Sequence, residues 1–191
     1  MAEEQPQPFE ELLEGMKQAA GVLKDAEVPF LVGGGIAVWA RGGPETGHDI
    51  DFFVRPKDAE RALEAFEAAG WKSEKPPEGW LYKAIDDQGA MVDLIFSPSA
   101  GDIGDEHFQR AEDLEVHAVR LQVASLEDVM VTKLLALTEQ EPDLGSVLEA
   151  ARAVREQVDW DDVRERTGGS ALAKGFFTMV DELGVVAQKK N

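Results

Sequence analysis

The sequence predicts an α/β (α+β) chain: a mixed sheet flanked by helices, followed by an all-helical C-terminal region. Three observations carry this. Helix-period and strand-like apolar runs alternate up to about residue 124, the triplet Gly33-Gly34-Gly35 sits between a strand-like and a helix-like run, and after Ser125 the apolar period is helical throughout.

Apolar residues at Phe9, Leu12, Leu13, Met16, Ala20 and Leu23 predict a first helix over Phe9–Ala26, after a polar start expected to fray. Val28–Val32 reads as a short buried strand that stops at the glycines, and Ile36 to about Arg41 as a helix closed by Gly42-Gly43-Pro44. His48–Val54 is the next strand, ended by Arg55-Pro56. Asp58–Ala69 is an amphipathic helix with Gly70 as its stop. Trp71–Ser73, Trp80–Ala84 and Met91–Phe96 follow as strands, and the alternation of Leu114–Ala124 supports one or two more. Ser125-Leu126-Glu127-Asp128 resembles a capping box ahead of a helix over Val129–Leu137. Asp143–Val158, Asp161–Arg166 and Ser170–Gln188 complete the helical part. The expected division is a core of residues 1–124 and a helical region of 125–191 packed on it.

With 43% hydrophobic residues the chain can bury an ordinary core, and its longest apolar or glycine run, Leu31–Ala40, is too short for a bilayer. An acidic start without a targeting pattern and the absence of cysteine fit a cytoplasmic protein, and rule out disulfides and thiolate chemistry. A net charge of −19 disfavours broad binding to a phosphate backbone.

The chemistry is concentrated in three acids. Asp49-Ile50-Asp51 opens an otherwise apolar strand, so side-chain alternation places both carboxylates on one face, about 7 Å apart. Asp93 interrupts Met91-Val92-Asp93-Leu94-Ile95-Phe96 in the same way. A carboxylate in such surroundings is costly without a partner, and hard oxygen donors suit Mg²⁺. If the two strands are neighbours, one cation cluster accounts for all three. Gly33-Gly34-Gly35, between strand and helix, offers bare backbone N–H groups to a phosphate.

Leu31-Val32-Gly33-Gly34-Gly35, thirteen intervening residues, Asp49-Ile50-Asp51 and then Asp93 resemble the DNA-polymerase-β-like nucleotidyltransferase superfamily. Within it, Gly34–Val38 with Thr46–Asp51 looks most like small antibiotic-modifying enzymes (lincosamide and aminoglycoside nucleotidyltransferases) and AbiEii-type toxins. The resemblance covers about residues 28–150. It implies a metal-dependent enzyme that moves a nucleoside monophosphate from an NTP such as ATP to an acceptor. Asp49 and Asp51 would hold two Mg²⁺ ions, and Asp93 would complete a metal site or take the acceptor proton. The helix with Thr132-Lys133-Leu134-Leu135-Ala136 also resembles the family. There Lys133 and Asp143 match, whereas Glu139-Gln140-Glu141-Pro142 replaces a basic loop and Ser146 stands at a second acid.

Plainer readings stand beside these. Lys133 reaches the triphosphate or snorkels along its helix. Thr46 donates to a phosphate or holds the Pro44–His48 loop. His48 is an acceptor-side base or a turn residue, and Arg41 a phosphate ligand or an exposed helix-end arginine. Trp39, Trp71, Trp80 and Tyr82 line an acceptor pocket or belong to the core. His107 and His117 have no metal-ligand spacing. The acceptor is expected to be a small molecule, aminoglycoside- or lincosamide-like. The alternatives are tRNA or a partner protein, or an inactive binding module, and no membrane is involved.

Overall fold

The computed structural model describes residues 8–46, 49–140 and 142–186, and shows the expected class: a mixed seven-stranded sheet with helices packed against it. Helix α1 (Phe9–Asp25) buries Leu12, Leu13, Met16, Ala19, Ala20 and Leu23 along one stripe. Strand β1 (Leu31–Val32) is shorter than expected. The N–H of Val28 donates to the Leu23 carbonyl at the end of α1, and Pro29 has none, so Val28 and Phe30 are buried without a ladder while Pro29 between them is exposed. Helix α2 (Gly34–Trp39) follows, then β2 (Ile50–Phe53). Arg55-Pro56 ends β2 and starts α3 (Pro56–Ala68), which begins two residues early because proline suits the first helical position.

Strands β3 (Lys72–Glu74), β4 (Leu81–Ile85) and β5 (Met91–Ile95) form the expected series. Helix α4 (Asp105–Arg110) was not legible in the sequence; its start is held by the Gly104 N–H donating to His107 Nδ1 at 3.1 Å. The alternating stretch is two strands, β6 (Glu112–Val116) and β7 (Val119–Val123), joined by a turn with left-handed His117 and Ala118. The helices after Ser125 are α5 (Leu126–Ala136), α6 (Leu144–Val154), α7 (Trp160–Thr167) and α8 (Ala171–Glu182). Helix α8 stops well before Gln188. Gly184, at φ +63, lets the Leu183 and Val185 N–H groups close on the carbonyls of Met179 and Val180.

The strand order is β3-β4-β5-β2-β1-β7-β6, with β2·β5 and β1·β7 parallel and the other pairs antiparallel. Helix α5 packs on α2 and α7, and one continuous apolar cluster runs from α1 through the sheet to α8.

The Ser125 side chain caps α5 by accepting the Asp128 N–H at 3.2 Å, but the reciprocal half of a capping box is missing. Asp128 is buried and turned away to Arg110 at 2.8 Å and Arg166 at 2.6 Å, tying α4, α5 and α7 together. Burial alone would raise its pKa. The hydrogen bonds from Arg110 and Arg166, the nearby His107 and the Ser125 hydroxyl outweigh that and hold it below the ordinary carboxylate value.

Candidate functional site

Parallel pairing of β2 with β5 brings Asp51 into register with Asp93, and antiparallel pairing of β5 with β4 puts Asp93 opposite Lys83. In-register partners share a face, so Asp51, Asp93 and Lys83 form a polar row across three neighbouring strands. Two residues further on, Phe53, Ile95 and Leu81 form a parallel apolar row. Ile50 and Phe52 point to the other face and are fully buried.

The glycine triplet abuts this row. The Gly33 N–H donates to the Asp51 carbonyl at 2.8 Å. Gly34 sits at φ +52, where an added Cβ would lie 1.6 Å from Asp51 Oδ2; at Gly35 one would lie 2.7 Å from the Thr46 side chain. Glycine is therefore required by contact with Asp51 and Thr46, and at Gly34 by the left-handed backbone as well. Gly47 and His48 lie outside the described residues, so the histidine reading has no structural counterpart.

Asp49 precedes β2, and its charge is felt at both Asp51 and Asp93. The Asp51 carboxylate receives no hydrogen bond from any described residue. Desolvation, only partly offset by Lys133, raises its pKa to about 7, with Asp93 and Asp49 adding to the rise. Asp93 is also raised, by burial above all, against the lowering effect of Lys83, whose Nζ donates to its Oδ1 at 2.7 Å. Among the described residues, no three or more His, Cys, Asp or Glu side chains are grouped so as to hold a metal ion.

Over the Asp51 face lies a cleft of about 350 Å³. The sheet contributes Asp51, Phe53 and Ile95, α2 contributes Gly34, and α5 contributes Val129, Lys133 and Leu135 among others. Trp80, Pro98 and Ser99 close the rim. Lys133 and Trp80, for which the sequence left a site reading and a plainer one open, both line the cleft. Its other aromatic candidates pack elsewhere: Trp39 on Phe9, Trp71 on Phe66 and Tyr82 on Phe96, with ring centroids 4.8–4.9 Å apart.

Arg41 is neither a cleft residue nor exposed. Its side chain is only 6% exposed and donates to the carbonyls of Ala37 and Ala124, both at 3.0 Å, and to Glu112. Asp143 caps α6 by accepting the Ser146 N–H. The residue that sequence reading missed is Lys83. Its one signal was a lysine in the otherwise apolar Leu81–Ile85 run, directly across a turn from Asp93.

The sequence profile of a family described as uncharacterised nucleotidyltransferases matches residues 11–180. This chain belongs to that family. The glycine and aspartate spacing and the mixed sheet agree with the polymerase-β-like nucleotidyltransferase superfamily. No curated protein matches it by sequence.

Among solved structures, the antibiotic-resistance factor ANT(2'')-Ia superposes with a TM-score of 0.65 at 14% identity, covering 93% of this chain and 98% of that one. The lincosamide antibiotic adenylyltransferase LnuA, solved with lincomycin bound, gives 0.53 at 14% identity over 72% and 94% of the two chains. An antigenic nucleotidyltransferase-like protein from Paracoccidioides brasiliensis gives 0.58 at 12% identity over 96% and 97%. At these identities the likeness is one of fold. Among the described residues no helix of this nucleotidyltransferase-family chain is long and apolar enough to cross a membrane.

Proposed function

We propose that this chain transfers a nucleoside monophosphate from an NTP to a hydroxyl of a small-molecule acceptor of the aminoglycoside or lincosamide kind. The observation that carries the reading is the half-buried Asp51 carboxylate, which accepts no hydrogen bond from any described residue, packed against Gly34 beside Asp93 and facing a cleft that Lys133 also lines.

The donor set suits a divalent cation. Asp51 accepts no hydrogen bond from any described residue and feels Lys133 and Lys83 only as nearby charges, Asp49 lies two positions away, and every available donor is a hard oxygen. Asp49 and Asp51 are the residues that would hold it; when bound, Mg²⁺ supplies positive charge against the phosphate oxygens. Lys133 would add a cation toward the triphosphate, while Gly33, Gly34, Gly35 and Thr46 would let the phosphates approach the backbone closely. The acceptor oxygen would attack the α-phosphorus; that O–P bond forms as the bond to the β-phosphate bridging oxygen breaks, and pyrophosphate leaves with the electron pair. The acceptor proton would pass to Asp93, whose raised pKa makes it a better base than an ordinary carboxylate.

A cleft of about 350 Å³ lies within the range of small-ligand sites. With the net charge of −19, it supports a small, preferably cationic acceptor over a nucleic acid. The test is to incubate the protein with Mg²⁺, each labelled NTP, and panels of aminoglycosides, lincosamides, tRNA and proteins, and to repeat with Asp51→Asn. Label on a small molecule, lost in the variant, is the expected result. Label on tRNA or protein would overturn the acceptor assignment. No transfer at all, with no metal-dependent NTP binding, would overturn the enzyme reading in favour of a binding module.

A further inference from the structure

We propose that Lys83 stands in for a second divalent cation, so that the site holds one metal ion at Asp49 and Asp51 while a protein ammonium neutralises Asp93. The inference rests on the metal-dependent reading above and departs from the two-ion arrangement that the family resemblance implies.

The geometry points to this in three ways. First, Lys83 is opposite Asp93 in the sheet register, so the backbone ladder and not a mobile loop places it there. Second, its Nζ is 2.7 Å from Asp93 Oδ1 and 3.5 Å from Met91 Sδ, and both members of the pair are largely withdrawn from water, at 25% and 10% side-chain exposure. A withdrawn pair is screened far less than a surface one, so separating it is costly. Third, the positive charge of Lys83 also acts on Asp49 and Asp51. It is a shared counter-charge for the whole acidic row.

A divalent ion ligated by Asp93 would have to approach an ammonium already hydrogen-bonded to that carboxylate. Like-charge repulsion in a poorly screened setting opposes this. Asp51 has no such occupant. The two carboxylates, adjacent in the sheet, are thus chemically unequal: one is free for a metal, and the other already has its cation. Lys83 is accordingly a positioning residue. It fixes the Asp93 carboxylate beside Asp51 without spending a ligand position on a second ion.

The experiment counts bound Mn²⁺ by electron paramagnetic resonance, in the presence of an ATP analogue with a methylene bridge between the α- and β-phosphates. One Mn²⁺ per protein is expected for wild type and for Lys83→Arg, which keeps the charge. Lys83→Met is expected to gain a second site, binding at least about tenfold tighter than any second site in wild type. Lys83→Met combined with Asp93→Asn is expected to return to one. Circular dichroism and thermal melts establish that each variant is folded, and a misfolded Lys83→Met is replaced by Lys83→Gln.

Two Mn²⁺ of similar affinity in wild type would overturn the inference while leaving the metal-dependent reading intact. So would a single Mn²⁺ in the folded charge-removing variant, Lys83→Met or its Lys83→Gln replacement. No Mn²⁺ in any protein would overturn the metal reading, and this inference with it.

Discussion

Replacing Gly34 with alanine tests the arrangement at its tightest point. The new Cβ meets two separate obstacles. At φ +52 a residue with a Cβ costs about 1–2 kcal/mol of backbone energy. For a chain of this size that lowers Tm by about 2–8 °C. The second obstacle is contact. A 1.6 Å approach to Asp51 Oδ2 must open to roughly 3.5 Å, which pushes the carboxylate aside by about 2 Å. A misplacement of about 1 Å in a reacting group can cost about 100-fold in rate, so nucleotidyl transfer should fall by at least that factor.

Gly42→Ala separates the two effects. Gly42 also has positive φ, +90, but its added Cβ would meet nothing within 4 Å. It should lose a similar few degrees of Tm and retain metal binding and transfer. Differential scanning fluorimetry, Mn²⁺ titration with the ATP analogue, and a labelled-ATP transfer assay read the three quantities. Wild-type Mn²⁺ binding in Gly34→Ala would refute the claim that this glycine exists to make room for Asp51.

Three further outcomes are expected. Because the Asp51 pKa is raised from 3.8 to about 7 in the folded chain, the native state holds the extra proton between those values, so metal-free stability should fall as pH rises from about 4 to about 7 and then level. Asp51→Asn should flatten that slope and stabilise the metal-free protein at pH 8 by up to about 4 kcal/mol, the rise from 3.8 to about 7 at about 1.4 kcal/mol per pH unit, measured by urea unfolding across pH. Asp128→Asn should cost about 3 kcal/mol, the low end for a broken buried pair because both arginines keep some solvent, and so about 6–12 °C in Tm. Since the folded Asp128 pKa is below its ordinary value, its contribution is present above about pH 4 and lost as pH falls further, and acid unfolding should lose that component in the variant. Lys133→Met should weaken ATP-analogue binding about tenfold or more, as expected for losing one hydrogen bond to a charged partner, in a calorimetric titration.

Much of the fold could be read from the pattern because local signals and tertiary demands agreed. The stripe of α1, the apolar runs of β2 and β5, and the Ser125 cap each left a mark within a few residues. What sequence could not supply depended on pairing. That Asp51 and Asp93 are in register follows from β5 being the parallel neighbour of β2, and nothing local to either strand specifies it. Lys83 escaped notice for the same reason, since a lysine in a short strand has meaning only once its partner strand is known. Asp128 looked like half of a capping box because Arg110 and Arg166, on two other helices, are far from it in the chain. The end of α8 was misjudged where a local signal did exist, at Gly184, but apolar residues beyond it kept the helical period alive.

Because the cleft is walled by the sheet on one side and α5 on the other, it is completed late during synthesis. A nascent chain released from the ribosome as far as Ala124 would already contain Asp49, Asp51, Asp93 and Lys83, yet lack Lys133 and the whole second wall. The order of emergence thus leaves the Asp51 carboxylate without its facing helix until the next dozen residues appear. Docking of α5 is then the step that converts a strand surface into a two-walled cleft.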